Sequence, residues 1–242
     1  MTNDSLPTFD PPIHLQLTVI PPHPCPYLPG REATLRAFHA GRMEPELYHE
    51  FLDRSFRRSG GVIYQPFCRG CRECVPIRVP VEKFRPNKSQ RRCWRRNEDL
   101  VLSIAEPVVT DEKFSLYQRY QSERHDSDPD SRAGFESFLY RSPVDTREFV
   151  YRDEGGRLLA VGICDVCRRS LSSVYFYYDP IQTRRGLGTY GALCELKYAA
   201  EHHIEHYYLG FWVKGCGKMR YKADFKPCEI LQGDGRWRLV LD

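Results

Sequence analysis

Apolar positions at Leu47, Phe51, Leu52 and Phe56 recur at helical spacing through ELYHEFLDRSFRRSG, with Pro45 at a first helical position and Gly60 just past the end. This pattern predicts an amphipathic helix along that stretch. HLQLTVI, from His14 to Ile20, alternates with the period of a short strand. The following PPHPCPYLPGREA is stiffened by prolines. GVIYQPF and VPIRVPV read as two strands on either side of CRGCREC. KSQRRCWRR, from Lys88 to Arg96, reads as a short basic helix, and LVLSIAE as a strand. Phe114, Leu116, Tyr117 and Tyr120 mark a helix over Asp111 to Arg124, and a second helix is expected from Gly134 to Arg141. REFVYRD, RLLAVGICDV and LSSVYFYYD, joined by a GG turn and a CRRS turn, predict three antiparallel strands. A loop rich in Arg and Gly after Pro180 leads into a long helix from about Gly188 to His202. HYYLGFWV is almost continuously apolar, as a central strand requires, and RWRLVLD predicts a last strand.

A boundary is expected near residues 97–110. It divides a polar, Pro-rich flexible tail (1–12) and a cysteine-bearing basic domain (13–98) from a C-terminal domain (99–242). In the C-terminal half, three antiparallel strands precede a helix that follows a Gly-rich loop, and a further strand comes next. That order resembles the acyltransferase fold of the GCN5-related acetyltransferases, an α+β class with a mostly antiparallel sheet.

Composition excludes wholesale disorder: 41% of residues are hydrophobic and 28% charged. The net charge of +4 conceals a segregation. The 43 residues from Arg54 to Arg96 carry a balance of +11, and the remainder carries −7. Such a block suits a polyanionic partner. Within it, Arg85, Lys88, Arg91, Arg92, Arg95 and Arg96 crowd together around Trp94, with no acid between Lys83 and Asn97. Lys88, Arg91, Arg92 and Arg95 share one helical face. That face can neutralise phosphates while the indole stacks on a base or ribose, or it can be a solvated face.

The chain opens MTNDSLPTFDPP, unlike a signal peptide, and has no apolar run of membrane-spanning length. A cytoplasmic location is expected, with the ten cysteines reduced. Isolated ones such as Cys164 and Cys194 suit small buried hydrophobes. Cys68, Cys71 and Cys74 are different: with Cys25 they can converge on zinc or an iron–sulfur cluster, or be structural thiols. In DPIQTRRGLGTYGALCELKY, Arg184, Arg185, Gly186 and Gly188 lead into a helix whose first amides can meet an anion; the glycines can equally serve a tight turn. Lys214, Lys218, Arg220, Lys222 and Lys226 surround one acid, Asp224, as a small basic pocket or a solvated turn.

RRSGGVIYQPFCRGCRECVPIRV, FRPNKSQRR, LSSVYFYYDP, LGTYGALCELKYA and YYLGFWVKGCGKMRYKADFKP together resemble the signature stretches of the arginyl-tRNA–protein transferase family. The resemblance runs from about Cys25 to Trp237, and the compact length is similar to the bacterial subgroup that uses leucine. Eukaryotic members have Cys-Gly-Tyr-Cys where this chain has CPYL, and Cys-Cys-Pro where it has CVP. Only Cys25 and Cys74 therefore match that family's four-cysteine site, with Cys68 and Cys71 as replacement candidates.

The resemblance implies transfer of leucine or arginine from aminoacyl-tRNA to the α-amine of proteins beginning with Asp or Glu, marking them for N-degron degradation. The ester is already activated, so the chemistry itself needs no cofactor. An α-amine attacks it, which calls for positioning, proton removal and oxyanion stabilisation. Asp179, at a strand end, and Glu195, on the long helix, are the candidate bases. Each also has a plainer reading, Asp179 as a turn residue and Glu195 as a solvated acid. Lys218, Arg220 and Lys222 are candidate partners of the acidic N-terminus, walled by Tyr175, Tyr178 and Tyr221. Two other classes remain. A coenzyme A-dependent N-acetyltransferase leaves the basic block unused, and a non-catalytic RNA-binding or redox-sensing protein leaves the Tyr-rich half unused.

Overall fold

The computed structural model describes residues 14–125 and 131–240; the tail expected over residues 1–12 lies outside them. Two sheets organise the chain. The smaller contains β1 (Thr18–Pro24), β2 (Glu32–His39), β3 (Arg57–Ser59) and β4 (Val62–Pro66) in the antiparallel order β1-β2-β4-β3. The larger contains β5 (Val75–Pro80), β6 (Val101–Ala105), β7 (Thr146–Arg152), β8 (Leu158–Val166), β9 (Ser170–Tyr178), β10 (His206–Trp212), β11 (Cys228–Leu231) and β12 (Trp237–Val240). Its order is β12-β11-β5-β10-β9-β8-β7-β6, antiparallel except where β9 and β10 run parallel. This is the mostly antiparallel α+β arrangement of the acyltransferase-like fold.

The helices are α1 (Pro45–Asp53), α2 (Lys88–Arg96), α3 (Asp111–His125), α4 (Arg132–Phe135) and α5 (Leu187–Glu201). Alternation along β7 explains how the large sheet is covered. Phe149 and Tyr151 point toward α5 and join Leu193, Leu196 and Ala199 in one core. Val150 points the other way, to Leu116, Tyr117, Phe135 and Leu139 from α3 and the segment after it. β8 lies between two partners and is buried from Leu158 to Asp165. A third cluster joins α1 to the small sheet through Tyr48, Leu52, Phe56 and Ile63.

Several elements depart from the pattern-based expectation. The first strand begins at Thr18 and runs through Pro21, Pro22 and Pro24; as an edge strand with a register break between Ile20 and His23 it tolerates their missing donors. Strand β2 pairs on both sides with segments distant in sequence, which local alternation does not reveal. Helix α1 stops at Asp53, short of Gly60, because Ser55 takes a φ of 65° and Arg57 and Arg58 enter a strand. Arg58 then forms a fully buried fork with Asp165, both contacts at 2.8 Å. The helix expected to begin at Gly134 starts at Arg132 and becomes a π turn over Glu136–Tyr140. Finally, β5, from the basic N-terminal segment, is an interior strand of the large sheet between β11 and β10.

Candidate active site

Strands β9 and β10 pair only from Ser170 to Ser172 against His206 to Tyr208, then diverge. Each has an irregularity at that point. Ser173 and Tyr175 face Cys164 and Ile163 on β8, leaving Val174 out of the ladder, and Leu209 is skipped between β10 and β5. The divergence opens a cleft of about 1390 Å³. One wall is the small sheet, with Leu35, Val62 and Tyr64; the other is formed by the diverging strands, the start of α5 and the segment from Cys216 to Lys222. Gly186, at the mouth, has φ 67°, a conformation that a side chain disfavours, and a Cβ there would stand 3.3 Å from Cys93 Sγ.

Glu195 lines this cleft from α5 yet is only 1% exposed. Its Oε2 accepts the Tyr207 hydroxyl at 2.5 Å. Burial pushes its carboxyl up to about 7, and the hydrogen bond from Tyr207 is the largest effect opposing this. Gly162 on β8 makes the space: a Cβ there would meet Glu195 Oε1 at 2.9 Å. Asp179, the other candidate base, has a different place. It is wholly buried, ion-paired with Arg157, and accepts the Ile181 amide at 3.3 Å to hold the turn after β9. It does not line the cleft.

Of the expected cations, Lys222 and Lys218 line the cleft; Arg220 is exposed outside its lining. Lys222 is buried, its Nζ donates to the Phe211 carbonyl at 2.9 Å, and burial followed by the nearby Arg57 charge pushes its ammonium down to about 7. Arg57, not singled out in sequence, completes this region. It is 5% exposed, donates to the carbonyls of Leu52, Phe56 and Gly210, and lies over the rings of Tyr208 and Phe211. Its Nε is buried without a partner. Among the described residues, neither Arg57 nor Lys222 forms an ion pair with a carboxylate, whereas neighbouring Arg58 has Asp165. Tyr175 and Tyr178 line the cleft beside Tyr120 and Phe138, and Tyr221 stands 42% exposed at its edge.

Helix α2 matches its predicted span and carries Lys88, Arg91, Arg92, Arg95 and Arg96 on its exposed surface. Among the described residues none of the five pairs with a carboxylate. Its buried side anchors it: Asn97 Nδ2 donates to the carbonyls of Cys93 and Arg185, both at 2.9 Å, and Arg96 binds the Arg184 carbonyl. The basic helix is thereby fixed to the loop at the cleft mouth, where Gly186 and Gly188 also lie. Arg184 is exposed there, but Arg185 is held by a fork to Asp99, both contacts at 2.8 Å, so its charge is already balanced. Arg85 is exposed and bonded to the carbonyls of Glu82 and Phe84. Trp94, expected as a stacking surface, turns inward instead: its ring packs 5.4 Å from that of Tyr190, and the Lys197 ammonium sits 5.7 Å from its centroid.

Cys25, Cys68, Cys71 and Cys74 are half-buried along the cleft wall. They influence one another: burial, then the neighbouring Cys68, Cys25 and Cys71, push the Cys74 thiol up to about 12. Cys68 Sγ is engaged with the Thr34 backbone and Cys71 Sγ with Arg31. Among the described residues no group of three or more Cys, His, Asp or Glu is arranged to hold a metal ion. Nor, among those residues, is any helix long and apolar enough to cross a membrane.

Comparison with known proteins agrees with this geometry. A C-terminal domain of an Agrobacterium fabrum protein described as a putative lysylphosphatidylglycerol synthetase superimposes with a TM-score of 0.50 at 14% identity, covering 84% of this chain and 65% of that one, a likeness of fold. Proteins named aspartate/glutamate leucyltransferase from Pseudomonas entomophila and Pseudomonas syringae are each 41% identical over 220 residues, covering 89% of this chain and 93% of theirs. The family models for the N terminus and the C terminus of arginine-tRNA-protein transferase match residues 23–92 and 112–232. With both parts matched in order around one cleft, the chain belongs to the arginine-tRNA-protein transferase family.

Proposed function

We propose that the protein transfers leucine from leucyl-tRNA to the N-terminal α-amine of proteins that begin with Asp or Glu, acting in the cytoplasm where charged tRNA is made. One observation carries the acceptor side: among the described residues, Arg57 and Lys222 stand buried at the cleft without a carboxylate of their own. Buried cations demand an anion, and the side chain of an acidic N-terminal residue supplies one. The relatives named for Asp and Glu acceptors support the same reading.

The donor approaches over α2. Its exposed Lys and Arg side chains suit phosphates, and its attachment to the loop before α5 leads the aminoacylated end into the cleft. The acceptor amine then attacks the ester carbonyl. A C–N bond forms, the C–O bond to the ribose breaks, and the amine's proton goes toward Glu195, whose carboxyl is poised near neutrality. The ribose hydroxyl leaves with a proton, and the enzyme groups are restored. A coenzyme A reading uses the Gly186 turn alone and leaves the basic helix without a role.

The test is direct. Purified protein is incubated with labelled leucyl-tRNA or arginyl-tRNA and peptides beginning with Asp, Glu, Arg or Ala. Leucine should enter the Asp and Glu peptides in strong preference to the Arg and Ala peptides; transfer of neither amino acid overturns the reading.

A further inference from the structure

Glu195 poses a problem of access. It lines the cleft, but its Oε1 is buried and makes no well-aligned hydrogen bond. A carboxylate so enclosed needs an intermediary to take a proton from an amine in the open cleft. Cys164, Tyr207, Gly162 and Ser173 are neighbours of that carboxyl. Cys164 lies beneath on β8 and is fully buried; Tyr207, from β10, is fully buried and already donates to Oε2. Both are held protonated, because burial raises thiol and phenol alike well above their ordinary values. Gly162 offers no side chain. Ser173 is the remaining one. It is half-buried, lines the cleft and stands in register with Cys164, and its hydroxyl is near enough to pull Glu195, Cys164 and Tyr207 each downward against burial. It sits where β9 leaves its ladder, immediately before the unpaired Val174, so its position is set by the irregularity that opens the cleft.

We infer that Ser173 is a proton relay: its hydroxyl oxygen receives the proton of the attacking amine while its own proton passes to Glu195 Oε1. This rests on Glu195 as the ultimate proton acceptor. Ser173 ends each transfer as a hydroxyl. Glu195 ends it protonated and returns that proton along the same path to the departing ribose oxygen, so the cycle closes without a co-reactant. Tyr207 is a positioning residue here, holding Oε2 and leaving Oε1 as the oxygen open to the relay. The other titratable groups that sense the carboxyl are Tyr151 on β7, Cys194 on α5 and Tyr221 at the cleft edge; burial pushes the first two above their ordinary values, the Tyr221 phenol is also raised, and all three stay neutral near pH 7. Lys222 in the same cleft is also pushed to about 7, but it meets the acceptor carboxylate and so acts on KM; an inflection of kcat near pH 7 with both substrates saturating therefore belongs to Glu195.

The experiment compares Ser173→Ala, Ser173→Thr and Glu195→Gln in the full chain, measuring kcat, KM for both substrates and the pH profile of kcat. Ser173→Ala should lower kcat about 100-fold, keep both KM values, and lose the inflection. Ser173→Thr, which keeps the hydroxyl, should restore both rate and inflection. If Ser173→Ala retains kcat within about twofold while Glu195→Gln is crippled, the relay is overturned and the role of Glu195 stands. If neither variant is impaired, both fail.

Discussion

Burial penalises charge whichever its sign, and two residues in the cleft show this from opposite sides. Glu195 is pushed up and Lys222 down, each to about 7. The consequences for pH are therefore opposed. Glu195 works as a base once deprotonated, so kcat rises through pH 7. Lys222 attracts a carboxylate only while protonated, so the KM of an Asp- or Glu-initiated peptide should be lowest below pH 7 and climb as pH rises through it. Steady-state kinetics between pH 6 and 9 check this, with an Asn-initiated peptide as control. Its KM should lack the climb, and an equal climb for both peptides removes Lys222 from acceptor binding. Single residues are unevenly legible in the sequence. Glu195 was visible in sequence as an acid on the helix after the Gly-rich loop, and folding turns that acid inward. Arg57 did not, because in sequence it is one cation among many and only folding shows which of them lack a counter-charge. Asp179 and Arg185 looked available for the same reason: their partners, Arg157 and Asp99, are 22 and 86 residues away.

Helix α2 is the element where local rules and function meet. Its start is secured by a capping box, Asn87 Oδ1 accepting the Gln90 amide at 3.0 Å and Gln90 Oε1 accepting the Asn87 amide at 2.8 Å. Gln90 also reaches the Asp224 carbonyl at 3.1 Å, and Cys93 is buried. Those anchors hold a helix whose exposed cations repel one another at i, i+3 and i, i+4. If that repulsion is relieved by tRNA phosphates, replacing Lys88, Arg91, Arg92 and Arg95 with Gln should flatten the salt dependence of tRNA binding. The slope of log K against log salt should fall by about 0.7–0.9 for each phosphate no longer neutralised, while the KM of a peptide acceptor stays put. An unchanged slope places the tRNA elsewhere. Such an element is legible from sequence because cap, charge and period are all local. So are β7, β8 and β9, whose turns and alternation lie in one continuous stretch. Strands β2 and β3 are not: β2 is defined by pairing partners on both sides, and β3 (Arg57–Ser59) follows apolar positions through Phe56 whose spacing reads as one continuous helix, a run that the turn at Ser55 interrupts.

At the scale of the molecule, the basic block of the sequence is not one surface. Arg58 is consumed by Asp165, and Arg78 by Asp53 and Glu229 at 2.6 and 2.7 Å with Trp237 stacked 4.3 Å away. Arg57 is kept for the cleft, and the cations of α2 face outward at its mouth. One stretch of sequence thus supplies internal ion pairs, an anion subsite and a polyanion surface. It does so because β5 threads that stretch through the middle of the large sheet. Arg57 and Lys222, buried without a carboxylate partner among the described residues, select an acidic acceptor in this reading. The most direct measurement is a competition in one tube between otherwise identical peptides beginning with Asp and Asn, with limiting leucyl-tRNA, for the wild-type protein and Arg57→Gln. Removing a charge-assisted hydrogen bond from this site should cut the Asp/Asn ratio of kcat/KM by about 10- to 100-fold, with transfer to the Asn peptide retained as proof of folding. An Asp/Asn ratio that does not change contradicts the account.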